Sequence, residues 1–227
     1  YSSAHITEDE AIAQLLAYIG EIAGDKAAAN ATPRTIRYQP GHRQEVWLRH
    51  CVAIGLSSGL SEPLEASARV RIELAAGMIA EQLPPTRDVM DVVARRYNRK
   101  FQRYWNQIIE FLKLHYVLSA RNDTPYWQDN HAAESIPEKL REQLSLWRYR
   151  SPWHQDAEAV DDLFPIASYQ YILYGMGFET EPRPTRSQQQ ASELFRQNAA
   201  RAAQLQQAMP SNRELLNKVR EFGFQKL

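Results

Sequence analysis

Across 227 residues, 27 Lys and Arg balance 27 Asp and Glu, 44% of the side chains are hydrophobic, and the only cysteine is Cys51. The charge balance excludes a global field that would recruit nucleic acid or an acidic membrane surface, and a lone cysteine excludes an intrachain disulfide. The length suits one or two domains with a buried core. With no apolar run near the ~20 residues of a membrane span and no signal peptide at its start, a soluble cytoplasmic protein is expected.

In chain order, Thr7 and Glu10 form a capping box, Ile12, Leu15, Leu16 and Ile19 share a helical face, and Gly24 can end that helix. Residues 25–33 read as a connection, 34–38 as a short strand, Pro40 and Gly41 as a turn, and 45–56 as a buried strand holding Cys51 as a small hydrophobe. Gly55, Ser57, Ser58, Gly59 and Ser61 then leave few bulky side chains, so backbone amides there can approach a flat or anionic ligand. From Pro63, a helix is expected with Leu64, Ala68, Ile72, Ala75, Ile79 and Leu83 on one face, stopped by Pro84 and Pro85.

Beyond that stop, Val89, Val93, Tyr97, Phe101, Tyr104, Ile108, Leu112 and His115 trace the apolar stripe of a long helix. Arg95, Arg96, Arg99, Lys100 and Arg103 lie between them and read as a solvated face. A loop over 119–133 carries Tyr126 and Trp127, and Ser135 to Glu138 has the spacing of another capped helix start, with Leu140, Leu144 and Trp147 facing inward. A short helix over 169–174, a Gln- and Ala-rich helical tail over 185–208, and a last helix capped by Ser211 and Glu214 complete the pattern.

Several chemistries lack their residues. The six histidines have no recognised metal-ligand spacing, and neither a Gly-x-Ser-x-Gly elbow, a Walker loop nor a Gly-x-Gly-x-x-Gly fingerprint is present. The carboxylate that invites a role is Glu65, expected one turn into the helix that follows the small-residue turn. Its position also suits a structural part, since the positive helix end favours an acid and Arg69 sits four residues on.

Two segments carry a resemblance. Glu62-Pro63-Leu64-Glu65-Ala66-Ser67-Ala68, after Ile54-Gly55-Leu56-Ser57-Ser58, is similar to the Glu-Pro-Leu-Glu-Ser-Thr-Gly segment of the flavin-dependent tryptophan halogenase family. Phe111-Leu112-Lys113-Leu114-His115-Tyr116 followed by Arg121-Asn122-Asp123-Thr124-Pro125-Tyr126-Trp127 resembles the same family's helix end and Asp-Thr-Pro-aromatic-Trp turn. The likeness extends from Tyr1 to about Phe178.

The resemblance implies an α+β, predominantly helical fold. Residues 1–84 would be the C-terminal part of a flavin-binding α/β domain and 85–227 a helical substrate-binding region. It implies FAD, reduced by a separate flavin reductase, with chloride or bromide and an aromatic substrate, and it leaves room for a homodimer. Glu65 would be catalytic, Gly55, Ser57, Ser58 and Gly59 would lie at the flavin, Ser67 and Ala68 at the halide, and His115, Tyr116, Tyr126 and Trp127 at the substrate.

The departures shape the expectation further. Ala68 replaces glycine, His115 stands where a second tyrosine would be, and Asn122 lies near an acidic position, so indole-like or phenolic substrates are expected over free tryptophan. The family's flavin glycine motif, partner lysine and Trp-x-Trp-x-Ile-Pro stretch lie upstream of the portion matched by Tyr1. The chain alone is therefore expected to be an incomplete, inactive part of a longer enzyme. Ala68 also suits a related flavin monooxygenase without halogen transfer, and the aromatic cluster suits a non-catalytic helical binding module.

Overall fold

A capping box opens the first helix, as the sequence requires. In the computed structural model, which describes residues 1–181 and 188–223, the Thr7 hydroxyl accepts from the Glu10 N–H at 3.3 Å and the Glu10 carboxylate accepts from the Thr7 N–H at 2.8 Å. Helix α1 then runs Glu8–Ala23, to Gly24 at φ 88°. The connection expected next is instead a short helix, α2 (Asp25–Asn30), whose three alanines are the residues least costly to hold helical. Residues 31–40 form no regular element, against the strand expected at 34–38. Their β-forming side chains have no neighbouring strand or core to pack on, and Ile36 is 72% exposed.

The strand expected at 45–56 is a hairpin. Strands β2 (Trp47–Leu48) and β3 (Cys51–Val52) pair antiparallel, Trp47 opposite Val52 and Leu48 opposite Cys51, through a turn with Arg49 at φ 56°. Bent back this way, the run buries Val46 and Trp47 and leaves Leu48 and Cys51 outside. Cys51 is therefore exposed rather than the buried hydrophobe expected. A second ladder pairs β1 (Gly41–His42) with β4 (Gly59–Leu60), His42 opposite Gly59.

Helix α3 (Ser67–Gln82) begins later than expected, because Glu65 and Ala66 are left-handed, at φ 64° and 50°. Its buried positions are Ser67, Arg71 and Ala75, while Ile72 and Leu83, placed on the buried face by their apolar character, are exposed. Arg71 takes the inner position by laying its guanidinium over the Trp105 ring, 3.7 Å from the centroid.

The long helix α4 (Met90–Val117) organises Tyr1–Glu181, the first of the two compact units into which the chain divides. Its N-terminal half packs Ala94, Tyr97, Phe101 and Tyr104 with Val46, Trp47 and Ala75. Its C-terminal half packs Phe111 and Leu114 with Leu140, Trp147, Tyr169 and Leu173, supplied by α6 (Glu138–Trp147) and α7 (Ile166–Gly175). Of the basic residues on α4, Lys100 and Arg103 pair with Asp161 at 2.5 Å each, and Arg95, Arg96 and Arg99 face solvent. Helix α5 (Pro125–His131) lies across the C-terminal end of α4. Ser135 caps nothing: its hydroxyl donates to the Ala132 carbonyl, and α6 starts after Pro137.

In the second unit, Pro182–Leu227, the described elements are α8 (Gln188–Ala208) and α9 (Asn212–Phe222). Ser211 and Glu214 close the expected capping box. Residues 185–187 of the expected tail helix lie outside the described residues. Four two-residue strands make up the β-structure among the described residues, so the fold is α+β and predominantly helical.

Candidate active site

The site forms where the segment before α3 meets the end of α4. Pro63 holds φ at −76°, and the chain then passes through two left-handed residues, Glu65 and Ala66, before α3 begins. For residues with a Cβ, that conformation costs roughly 1–2 kcal/mol each, so neighbouring contacts must hold it. Two side chains from α4 do so. The Tyr116 hydroxyl donates to the Glu62 carboxylate, and His115 Nε2 lies 3.2 Å from Glu65 Oε1. Burial, reinforced by Glu62 and Tyr126, pushes the Tyr116 phenol far up, so it stays a proton donor. The His115 ring is fixed at its other nitrogen, with Nδ1 2.8 Å from the Phe111 carbonyl oxygen.

Aromatic rings gather on the far side of Tyr116. Tyr126 and Trp127, in the first turn of α5, lie 6.0 and 5.8 Å from it between ring centroids and 5.4 Å from each other. Arg121 sits over Trp127 at 4.7 Å and is itself held by Asp123 at 2.9 Å. From the N-terminus, His5 packs edge-on against Tyr126 at 5.3 Å and reaches Asp129 at 2.8 Å. The structure thus brings Glu65, His115, Tyr116, Tyr126 and Trp127 together. Sequence reasoning missed Glu62, Arg121, His5 and Asp129 as members; the three-residue spacing of Glu62 from Glu65, matched by adjacent donors on α4, was the one available signal.

Glu65 is not one turn into a helix as expected, but precedes it, and its partner is His115 rather than Arg69. Asn122 lies in the exposed loop before α5, where its carbonyl accepts from Gln128 at 3.3 Å.

Ser67 and Ala68 occupy the first turn of α3, whose N-cap, Ala66, gives no side-chain hydrogen bond. The Ser67 hydroxyl is buried without a partner, and so are Nε and Nη1 of Arg71, one turn further along. Burial lowers the Arg71 pKa. An uncapped helix start above a buried cation is electrostatically suited to a small anion.

Gly55, Ser57, Ser58 and Gly59 sit before and within β4. The Ser57 hydroxyl donates to the Ile54 carbonyl at 2.8 Å and the Ser58 hydroxyl to the Gly55 carbonyl at 2.7 Å, so both are engaged within the turn. At Gly59 an added Cβ would stand 2.5 Å from the Trp105 ring and 2.7 Å from the Gly41 carbonyl oxygen; internal packing alone requires glycine there. Leu56, between Gly55 and Ser57, is 77% exposed. No group of metal-ligating side chains occurs among the described residues, and none of their helices is long and apolar enough to cross a membrane.

A family model described as tryptophan halogenase matches residues 1–193. The chain is 32% identical over 227 residues to 7-chloro-L-tryptophan 6-halogenase KtzR of Kutzneria sp. (strain 744), covering 97% of this chain and 42% of that relative. Among solved structures, a tryptophan halogenase from Shewanella frigidimarina NCIMB 400 superposes at a TM-score of 0.87 with 45% identity, covering 100% of this chain and 43% of that one. BrvH, a flavin-dependent halogenase from Brevundimonas sp. BAL3, superposes at 0.77 with 28% identity, covering 96% and 43%. The chain therefore spans less than half the length of the proteins it matches. Within that span the family model covers most of the sequence and the likeness of fold covers all of it, and the chain belongs to the tryptophan halogenase family.

Proposed function

We propose that this chain is part of a flavin-dependent halogenase that acts on an indole-like aromatic substrate. The observation that carries the reading is the convergence of Glu65, clamped by His115, with the Tyr116, Tyr126 and Trp127 rings. Residues 1–84 are assigned to a flavin-binding domain and 85–227 to the substrate-binding region. Reduced FAD with oxygen would supply the oxidising power that turns halide into an electrophilic halogen.

The roles of this chain's own residues follow from their chemistry. Tyr126 and Trp127 offer flat apolar faces to a substrate ring. The Glu65 carboxylate stabilises the cation formed when the ring is attacked and accepts the proton that restores aromaticity. Ser67 and the first turn of α3 hold the halide, supported by the orphaned Ser67 hydroxyl and the buried Arg71 charge. Gly55, Ser57, Ser58 and Gly59 present backbone to the flavin edge. Asn122, an exposed amide, stands near the family's acidic position, and Asp123 beside it is paired with Arg121, which favours simple indoles or phenols over free tryptophan.

The test is turnover by the intact enzyme with FAD, a flavin reductase, oxygen and chloride or bromide, with products read by mass spectrometry. The expected result is halide-dependent monohalogenation, faster on indole than on tryptophan. Glu65→Gln should lower kcat at least about 100-fold, the lower range for a general acid or base. A hydroxylated product indifferent to halide would instead identify a monooxygenase, and no flavin binding would favour a binding module.

A further inference from the structure

His5 carries the N-terminal segment to the aromatic cluster. A turn opened by Ser2 sets its ring: the His5 N–H donates to the Ser2 carbonyl at 3.0 Å, and the Ser2 hydroxyl lies 2.8 Å from His5 Nδ1. On the other side of the ring, Nε2 lies 2.8 Å from Asp129 Oδ2. Placing the ring hydrogen on Nε2 lets it donate to Asp129 and accept from Ser2, so both contacts are hydrogen bonds with no further proton. Asp129 and Tyr126 are three residues apart on α5, hence neighbours on one helical face, and the same His5 ring meets Tyr126 edge-on at 5.3 Å. Helix α5 has seven residues, buries none of them, and takes no side-chain hydrogen bond from its N-cap, Thr124, so its own structure does little to fix where its first turn stands. From α4, Lys113 reaches Asn130 at 2.8 Å; from the N-terminal segment, His5 reaches Asp129. The Asp129 side chain is 71% exposed, so its bond to His5 adds little to global stability. What it fixes is the placement of one ring.

We propose that His5 is a positioning residue for the aromatic substrate: held by Ser2 and Asp129, it sets the stance of the Tyr126 ring and, through that ring, the affinity for the substrate. The proposal rests on Tyr126 meeting the substrate ring. Three rings frame Tyr126, each nearly perpendicular to it: His5 at 89°, Tyr116 at 84° and Trp127 at 81°. Tyr116 is anchored by Glu62, and Trp127 lies under Arg121, which Asp123 holds. His5 is the member of this frame that comes from outside α4, α5 and the loop between them, 124 residues before Asp129 in the chain. Without it Tyr126 loses one wall of the frame, and a displaced ring costs affinity for a flat ligand before it costs the chemical step.

The experiment is a double-mutant cycle on the intact enzyme, read in KM for indole and, without turnover, in indole affinity by calorimetry. His5→Ala should raise KM for indole about 5-fold while KM for chloride changes less than about 2-fold. His5→Gln, which keeps a donor for Asp129 but no ring, should raise it by a smaller factor, and Asp129→Ala should act in the same direction. In a Tyr126→Ala background, His5→Ala should change KM and affinity for indole less than about 2-fold, because the ring through which it acts is gone. Glu8→Gln, which breaks the exposed Glu8–Arg37 pair of the same N-terminal segment, should leave KM for indole as in wild type. Thermal melts establish that each variant is folded. A His5→Ala effect of the same size with and without Tyr126 overturns the proposal. So does a rise in KM for indole and chloride together, or a Glu8→Gln effect as large as that of His5→Ala, which would mark a general loosening of the segment. If the enzyme halogenates nothing while its indole affinity keeps the coupling between His5 and Tyr126, the positioning role stands and the halogenase reading fails; wild type that binds no indole overturns both.

Discussion

The Asn98 side chain hydrogen-bonds both polar groups of the Trp47 backbone: its oxygen accepts from the Trp47 N–H at 2.8 Å and its nitrogen donates to the Trp47 carbonyl at 2.8 Å. The same oxygen accepts from the Val46 N–H at 3.0 Å. One amide on α4 thus does for β2 what a neighbouring strand would do. Both residues it serves are buried, so their N–H groups have no route to water. Asn98→Ala is expected to lower stability by about 2–3 kcal/mol, measured by urea denaturation, because it strands buried donors rather than merely deleting a contact.

Two glycine substitutions should act in opposite directions. Gly59→Ala drives a methyl to 2.5 Å from Trp105 and 2.7 Å from two backbone atoms of β1, which cannot yield as a flexible side-chain tip can. A loss of about 2 kcal/mol or more is expected. Gly77 lies inside α3 with open space around it, so Gly77→Ala should raise stability by about 0.5–1 kcal/mol through helix propensity. Thermal melts of the two variants against wild type read both signs.

Tyr116→Phe leaves the Glu62 carboxylate half-buried without its phenol donor. Stability should fall by about 1–2 kcal/mol. The double variant with Glu62→Gln should cost less than the sum of the two single changes, and a double-mutant cycle by denaturant unfolding gives that coupling directly.

Asp156 should contribute to acid sensitivity. Burial pushes its carboxyl up, but hydrogen bonds from Arg150, the Trp153 N–H and the Trp147 indole outweigh burial and hold it below the usual carboxylate range. A carboxyl depressed in the folded state stabilises above the unfolded value of about 3.9 and loses that stabilisation as pH falls through the folded value. Asp156→Asn should therefore be less stable than wild type near neutrality and should lose less stability on acidification. Melting temperatures across roughly pH 5 to 2 give both comparisons.

What could be read in advance was local. The Thr7 and Ser211 capping boxes and the stripe on α4 depend on residues three or four apart; both boxes stand, and so does the stripe from Tyr97 to Leu112, while Val89 lies before the helix and is exposed. The hairpin at β2 and β3 was hidden because its satisfying partner, Asn98, is 51 residues from Trp47 in sequence. Likewise the left-handed Glu65 and Ala66 carry no propensity signal; the contact that ties Glu65 to α4 comes from His115, 50 residues on. Arg71 misled the assignment of the α3 face, since charge argues for solvent until a flat indole is known to lie beneath it.

A single rod, α4, about 42 Å long at ~1.5 Å per residue, belongs to both hydrophobic clusters. Trp105 and Ile108, fully enclosed near its middle, lie on the helix between the two clusters. Neither half can melt alone without fraying the same helix, so heat or denaturant should dissolve both in one cooperative step. The carboxylate clamp at the far tip of that rod thereby inherits its rigidity from packing begun several helical turns away.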